Sequence, residues 1–384
     1  MELPPSKLPH VGTTIFSVMS ALAQKHGAIN LGQGFPGFSI DSRLIDEVQT
    51  AMREGHNQYA PMPGYAPLVK VIAQKIEDRY GHRYDSAAEI TITAGATQAL
   101  YAVFAAFVQP GDEVILFAPA YDSYAPAIRV HGGEPVWVKL REPNYQVDWD
   151  EVASKITSRT RMIVINSPNN PTGSVWSAED MDRLQSLLAG TNIILLSDEV
   201  YEHLVFDGAQ HASAIRYPEL VKRACVVFSF GKTFHATGWK MGYVCAPADM
   251  MNRIRQIHQY LVFSVNTPIQ VALHRYMQDS TVWNSLASFY QAKRDRFIDQ
   301  MQGSAWELLP CNGTYFQLLR FTRLSDKSDM DMAKHMTEHV GVTMIPCSAF
   351  YEDGYDARVL RLCFAKEDHV LDEAAHRLKH VSIS

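Results

Sequence analysis

Residues 193–201 read Ile193-Ile194-Leu195-Leu196-Ser197-Asp198-Glu199-Val200-Tyr201. Four consecutive aliphatic residues, stopped by a polar turn, predict a short strand buried on both faces over Ile193–Ser197. Such strands belong to mostly parallel sheets covered by helices, where ligands sit beyond the carboxyl ends of the strands. Asp198 stands at that end, and Tyr201 follows three residues later.

The same pattern repeats outward from this run. Strands are predicted at Ile90–Thr93, Glu113–Phe117, Pro135–Leu140, Met162–Asn166, Cys225–Ser229 and Met241–Ala246, with helical spacing over Thr97–Val108 and Ala178–Leu188. The fold class is therefore α/β, a mostly parallel sheet with helices on both faces. Gly95-Ala96-Thr97, Asn170, and Ser229 with Lys232 each follow one of these strands. From about Ser280 the character changes. A long polar helix, Trp283–Met301, leads to a strand pair around Gly313–Leu319 and Val359–Phe364 with a helix between them. The expected division is an N-terminal segment, 1–40, joining a smaller α+β domain, 280–384, beside a large ligand-binding domain, 41–279.

At 384 residues, with 47% hydrophobic and 20% charged side chains, the composition is an ordinary globular balance that disfavours disorder. A net charge of −6 gives no general pull toward nucleic acid or an anionic membrane. No apolar run reaches the length of a membrane span, and the opening MELPPSKLPH has no apolar signal core. A cytoplasmic location is expected. The five cysteines, Cys225, Cys245, Cys311, Cys347 and Cys363, are scattered and include no C-x-x-C pair, which fits buried free thiols.

Each candidate residue has a plain reading beside its chemical one. Lys232, in Ser229-Phe230-Gly231-Lys232-Thr233, is a surface charge by default. After a buried strand it stands at the sheet rim, where desolvation lowers an amine's pKa and suits it to imine formation and proton transfer. Asp198 is either a helix N-cap or the partner of a protonated ring nitrogen. Tyr201 is a core aromatic or a phenol for a ring oxygen. Asn170, in SPNNPTG (Ser167–Gly173), is ordinary turn chemistry or an amide aimed at the same rim. Gly95-Ala96-Thr97 opens a helix and offers backbone N–H groups to an anion, with Ser229 and Lys240 as further phosphate partners. Arg361, in VLRLCF, points to solvent by alternation or clamps a carboxylate. Two other patterns lack their context. Gly32-Gln33-Gly34-Phe35-Pro36-Gly37 matches G-x-G-x-x-G without a compact βαβ unit, and His335 with His339 lacks the rest of a zinc motif. Taken together, an amine, a carboxylate, a phenol and a phosphate cup are what pyridoxal phosphate asks of a protein.

With these residues in hand, the chain resembles the fold type I, class I pyridoxal phosphate aminotransferases over essentially its full length. The resemblance is carried by SPNNPTG, SDEVYEHLVF, SFGKTFHATGWKMGY and RLCFAKE. Within that class NLGQGFPGF, NQYAPMPGYAPL and HQYLVFSVNTPIQ look like bacterial methionine aminotransferases and the related kynurenine aminotransferases. The resemblance implies a Schiff base on Lys232, Asp198 at the pyridine nitrogen, Asn170 and Tyr201 at the ring oxygen, and Tyr121 stacked on the ring. Ala96, Thr97, Ser229 and Lys240 would hold the phosphate. Arg361, Asn170 and the Gly34 backbone would take the substrate carboxylate. Tyr59 matches a tyrosine that reaches the partner subunit's phosphate, so a homodimer with shared sites is implied. Two departures stand out: FPDF is FPGF here, with Gly37, and Ser264 stands where kynurenine-type relatives often carry histidine, which favours the methionine-like branch. The activity expected is transfer of an amino group from methionine or another neutral or aromatic amino acid to a 2-oxo acid. The alternatives are a carbon–sulfur β-lyase on the same scaffold and, from a different class, a pyridoxal-binding regulator without turnover.

Overall fold

The apolar runs assemble into one seven-stranded sheet in the computed structural model, which describes residues 1, 3–9 and 11–381; positions 2, 10 and 382–384, within the two terminal segments, lie outside the described residues. Numbered along the chain, the strands are β1 (Ile29–Asn30), β2 (Ile90–Thr93), β3 (Glu113–Ala118), β4 (Glu134–Lys139), β5 (Thr160–Asn166), β6 (Ile194–Asp198) and β7 (Ala224–Ser229). They continue as β8 (Gly242–Cys245), β9 (Glu307–Leu308), β10 (Phe316–Arg320), β11 (Val342–Thr343), β12 (Ile345–Pro346) and β13 (Val359–Cys363). The large sheet has the order β2-β8-β7-β6-β5-β3-β4. All its pairings are parallel except those of β8, which runs antiparallel to both β2 and β7.

Alternation covers both faces. Val114, Leu116, Met162, Val164, Leu196, Cys225 and Val227 pack with Leu100, Val103 and Phe104 of the helix Gly95–Phe107. Their neighbours Ile115, Phe117, Ile163, Ile165, Leu195, Val226 and Phe228 join the core on the opposite face. Each such side chain stabilises the fold by roughly 1.5–3 kcal/mol, which is why these strands have almost no polar positions until they end. Because β2 and β7 are both antiparallel to β8, the carboxyl ends of β2, β3, β5, β6 and β7 share a rim with the amino end of β8. Register locks that rim: Thr93 and Ser229 both pair with Gly242, and Asp198 pairs with Asn166 and Val227.

The C-terminal part builds a four-stranded antiparallel sheet, β12-β13-β10-β9. Since β13 lies between β10 and β12 and all five of its residues are buried, Arg361 has no solvent face to point to. The N-terminal segment is tied to this part: β1 pairs in parallel with β11, and Cys363 N donates to Leu31 O at 2.8 Å. The segment holding G-x-G-x-x-G thus follows a two-residue strand paired to the C-terminal part, with no crossover helix of a dinucleotide fold.

The helix expected over Trp283–Met301 is two pieces, Thr281–Asn284 and Leu286–Met301. Serine hydroxyls compete for the backbone at the break, Ser285 Oγ donating to Thr281 O at 3.3 Å and Ser288 Oγ to Ser285 O at 2.9 Å. All five cysteines are buried and free. No helix among the described residues is long and apolar enough to cross a membrane.

Candidate active site

The rim of the large sheet opens on a cavity of about 150 Å³. Ten residues singled out in the sequence line it: Gly95, Ala96, Thr97, Tyr121, Asn170, Asp198, Tyr201, Ser229, Lys232 and Lys240. Asn166, Thr237 and Met241 complete much of the rest.

Strand ends position the polar groups. At the end of β6, Asp198 is 3% exposed and accepts from Tyr124 Oη at 2.6 Å and Val200 N at 3.3 Å. No helix follows it, so the N-cap reading falls away. Burial pushes its carboxyl up to about 6, and no cation lies within 4 Å among the described residues. Asn166, at the end of β5, joins two loops: its Nδ2 donates to Asp198 O at 3.0 Å, and its Oδ1 accepts from Asn170 N at 2.8 Å. Tyr201 is 2% exposed, its ring edge-on to Tyr315 at 5.2 Å.

The opposite end of the cavity suits an anion. Gly95 starts the helix Gly95–Phe107 with φ +78°, a left-handed conformation that a side chain would strain. A Cβ there would lie 3.5 Å from Lys240 Nζ, so the lysine ammonium hangs over the helix start. Lys240 itself holds φ +54°, a costly backbone for a non-glycine residue and a mark of a constrained site. Ser229 ends β7 and accepts from Lys232 N at 3.3 Å, leaving its own hydroxyl proton to donate.

Lys232 stands between these ends. Loss of hydration lowers its amine to about 8. Nζ donates to Tyr315 Oη at 3.1 Å and to the Gly34 carbonyl at 3.2 Å, while Tyr315 Oη donates to the same carbonyl at 2.8 Å. Gly34 was expected to take a carboxylate; its carbonyl is occupied as an acceptor, so only its N–H could do that.

Arg361 adjoins the cavity through Asn170, NH1 donating to Oδ1 at 2.7 Å, and NH2 donating to Gly32 O at 2.9 Å. The guanidinium is buried beside Phe316, Phe16 and Phe350, at 4.1, 5.2 and 5.1 Å from the ring centres. Its Nε has no partner, and no carboxylate lies within 4 Å of it among the described residues. Tyr59 is not brought to this cavity. It is 80% exposed and meets Phe263 edge-on at 5.2 Å.

Tyr124, Asn166, Thr237 and Tyr315 were not anticipated. Tyr124 carried a usable signal, three residues after Tyr121 in PAYDSY, and the two rings meet edge-on at 5.6 Å. Tyr315 carried none, since its partner Gly34 is 281 positions away.

A buried anion without a cation and a buried cation without an anion are both unfavourable until a ligand supplies the opposite charges. Their complement has a cationic ring nitrogen at Asp198, an aldehyde at Lys232, a phosphate at Gly95–Thr97 and Lys240, and a carboxylate at Arg361. Pyridoxal phosphate with an amino acid fits that description.

Comparison with known proteins agrees. The family model of aminotransferase class I and II matches residues 26–378. The chain is 47% identical to the methionine aminotransferase of Escherichia coli over 380 residues, covering 99% of this chain and 98% of that one. It is 33% identical to human kynurenine–oxoglutarate transaminase 1, covering 93% of each. The solved structure of YbdL from Escherichia coli, with an identified methionine aminotransferase function, superposes with a TM-score of 0.98 at 46% identity over 99% of this chain and 100% of that one. Fold, cavity and relatives converge: the chain belongs to the class I and II aminotransferases and is a fold type I, pyridoxal phosphate-dependent transaminase.

Proposed function

We propose that this transaminase takes its amino group from methionine or a similar neutral amino acid, and that the cavity residues divide the work as follows. The reading rests above all on the two unpaired buried charges, Asp198 and Arg361, on either side of the Lys232 amine. When bound, pyridoxal phosphate supplies an aldehyde that condenses with amines and a ring that draws electrons from the substrate α-carbon. Lys232 Nζ would hold that aldehyde and, when free, would carry a proton to and from the substrate α-carbon. An amine lowered to about 8 is partly neutral near neutral pH, as a base must be, and partly charged, as an acid must be. Asp198 keeps the ring nitrogen charged, with Tyr124 fixing the carboxylate. Asn170 and Tyr201 bond the ring oxygen, and Tyr121 stacks on the ring. Ala96, Thr97, Ser229 and Lys240 hold the phosphate. Arg361, with Asn170 and the Gly34 N–H, holds the substrate carboxylate.

The donor preference follows the relative at 47% identity and the apolar residues near the carboxylate site. Phe16 lies 5.2 Å from the Arg361 guanidinium, where a thioether can pack against its ring. Ser264 is committed elsewhere, its Oγ donating to Ala60 O at 2.9 Å. Apolar pockets separate similar side chains by only about 1–3 kcal/mol per methylene, so several neutral donors should react. The test is kcat/KM for methionine, phenylalanine, glutamine, kynurenine and aspartate with one fixed 2-oxo acid. Methionine should lead and aspartate trail; aspartate ranking first would overturn the preference while leaving the chemistry intact.

The working unit in this reading is a homodimer. Tyr59, Tyr260, Leu261 and Phe263 form an exposed apolar group that a second copy would cover, carrying Tyr59 toward the partner's phosphate. A division at 41 and 280 is supported by the seven-stranded sheet being separate from the four-stranded sheet and the β1-β11 pair. Five free thiols fit a reducing cytoplasm.

A further inference from the structure

We propose that Tyr315 Oη and the Gly34 carbonyl form a two-point rest for the Lys232 amine when it is free, making Tyr315 a catalytic residue that touches the reacting nitrogen. The inference builds on the assignment of Lys232 as proton carrier.

The geometry is that of a closed triangle. Lys232 Nζ donates to Tyr315 Oη at 3.1 Å and to Gly34 O at 3.2 Å, and Tyr315 Oη spends its own proton on Gly34 O at 2.8 Å. Tyr315 therefore faces the lysine as an acceptor. A neutral amine has two N–H bonds and one lone pair. With both N–H bonds held, one vertex remains, and it is the lone pair. When that lone pair takes the substrate's α-proton, the ammonium keeps two N–H bonds on the same acceptors, and the third is the proton to deliver onward. The phenol proton stays on its bond to Gly34 throughout, so Tyr315 transfers nothing. It turns a flexible four-carbon chain into a base with one open direction, the positioning that converts a loose encounter into a productive one.

The rest is itself rigid. Tyr315 is fully buried and wedged against Tyr201, Phe316 and Tyr290, with ring centres 5.2, 4.9 and 5.7 Å away. Its three members come from three parts of the chain: Lys232 after β7, Gly34 from the N-terminal segment, and Tyr315 just before β10. Burial lowers the Lys232 amine, and an acceptor oxygen opposes that by favouring the charged form.

Tyr315→Phe removes the oxygen and keeps the ring. With cofactor removed from the full chain, Lys232 acetylation by acetic anhydride, read by peptide mass spectrometry across pH, gives the amine's midpoint. It should fall by about half a pH unit or more, because the charged form loses an acceptor. In the loaded enzyme, exchange of methionine's α-hydrogen in D2O should slow about tenfold with the visible cofactor band retained. Tyr290→Phe, whose hydroxyl has no partner, is the control and should change neither. If Tyr315→Phe fails to retain cofactor, 3-fluorotyrosine at 315, a weaker acceptor in an unaltered core, must shift the midpoint the same way by less. An unmoved midpoint, or equal shifts in the Tyr290→Phe control, overturns the proposal. Lys232→Ala distinguishes the failures: if it exchanges the α-hydrogen at the wild-type rate, the lysine assignment itself is wrong. If it is inactive and Tyr315→Phe matches wild type, only the rest is wrong.

Discussion

Asp198 is held at a cost that only a ligand relieves. Burial raises its carboxyl from 3.8 to about 6 because the Tyr124 hydroxyl and one backbone N–H do not replace lost hydration. The folded cofactor-free chain therefore binds a proton more readily than the unfolded chain between about pH 4 and 6. Stability from this group falls as pH rises through that window, and the penalty is complete above about pH 6, amounting to about 2–3 kcal/mol. Asp198→Asn carries no charge, so the cofactor-free variant should resist urea better than wild type at pH 7.5 and match it near pH 4. Adding pyridoxal phosphate should reverse the order at pH 7.5, since only the carboxylate gains a cationic partner. Urea midpoints of both proteins at both pH values, with and without cofactor, check this. A residue that destabilises the empty fold yet stabilises the loaded one is serving the ligand rather than the core.

Among elements, the junction of β2, β7 and β8 carries the end of the cavity proposed for the phosphate. Gly242 pairs with both Thr93 and Ser229, and a Cβ on it would lie 2.7 Å from Phe228 O and 2.9 Å from Ala96 N. Both obstacles are backbone, so relief requires moving β7 or the helix start. Gly242→Ala should cost about 1–3 kcal/mol and weaken pyridoxal phosphate binding at least tenfold. Gly238→Ala, which meets nothing within 4 Å, should change neither; chemical denaturation and cofactor titration measure both. This junction also shows why so much was legible beforehand. Strands covered on both faces must be apolar until they end, so β5, β6 and β7 announce themselves, and the polar residues ending β6 and β7, Asp198 and Ser229, are already site candidates. What stayed hidden depends on contacts between distant segments. Alternation could not orient Arg361, because its direction depends on what covers β13. Nothing near Tyr315 predicts that it meets Gly34. The break at Ser285 escaped because helical spacing of apolar residues persists across a local contest for carbonyls.

For the whole molecule, one residue of the expected set is misplaced if the chain acts alone. Tyr59 is 80% exposed and does not line the cavity of its own chain, whereas the other residues proposed for the phosphate do. A tyrosine standing out on an apolar surface with Tyr260, Leu261 and Phe263 has a use if a second copy packs there and receives it. In a symmetric pair the contact is reciprocal, so each site draws Tyr59 from the other subunit. Mixing subunits tests this. Lys232→Ala removes the amine from its own site, and Tyr59→Phe weakens the site of its partner. In the hybrid, one site then carries both lesions and the other carries neither. Equal mixing with full exchange should restore about a quarter of wild-type sites, well above either parent. Were Tyr59 to serve its own chain, every site in the hybrid would hold one lesion, and exchange confirmed by mass spectrometry would leave activity no higher than the mean of the two parents.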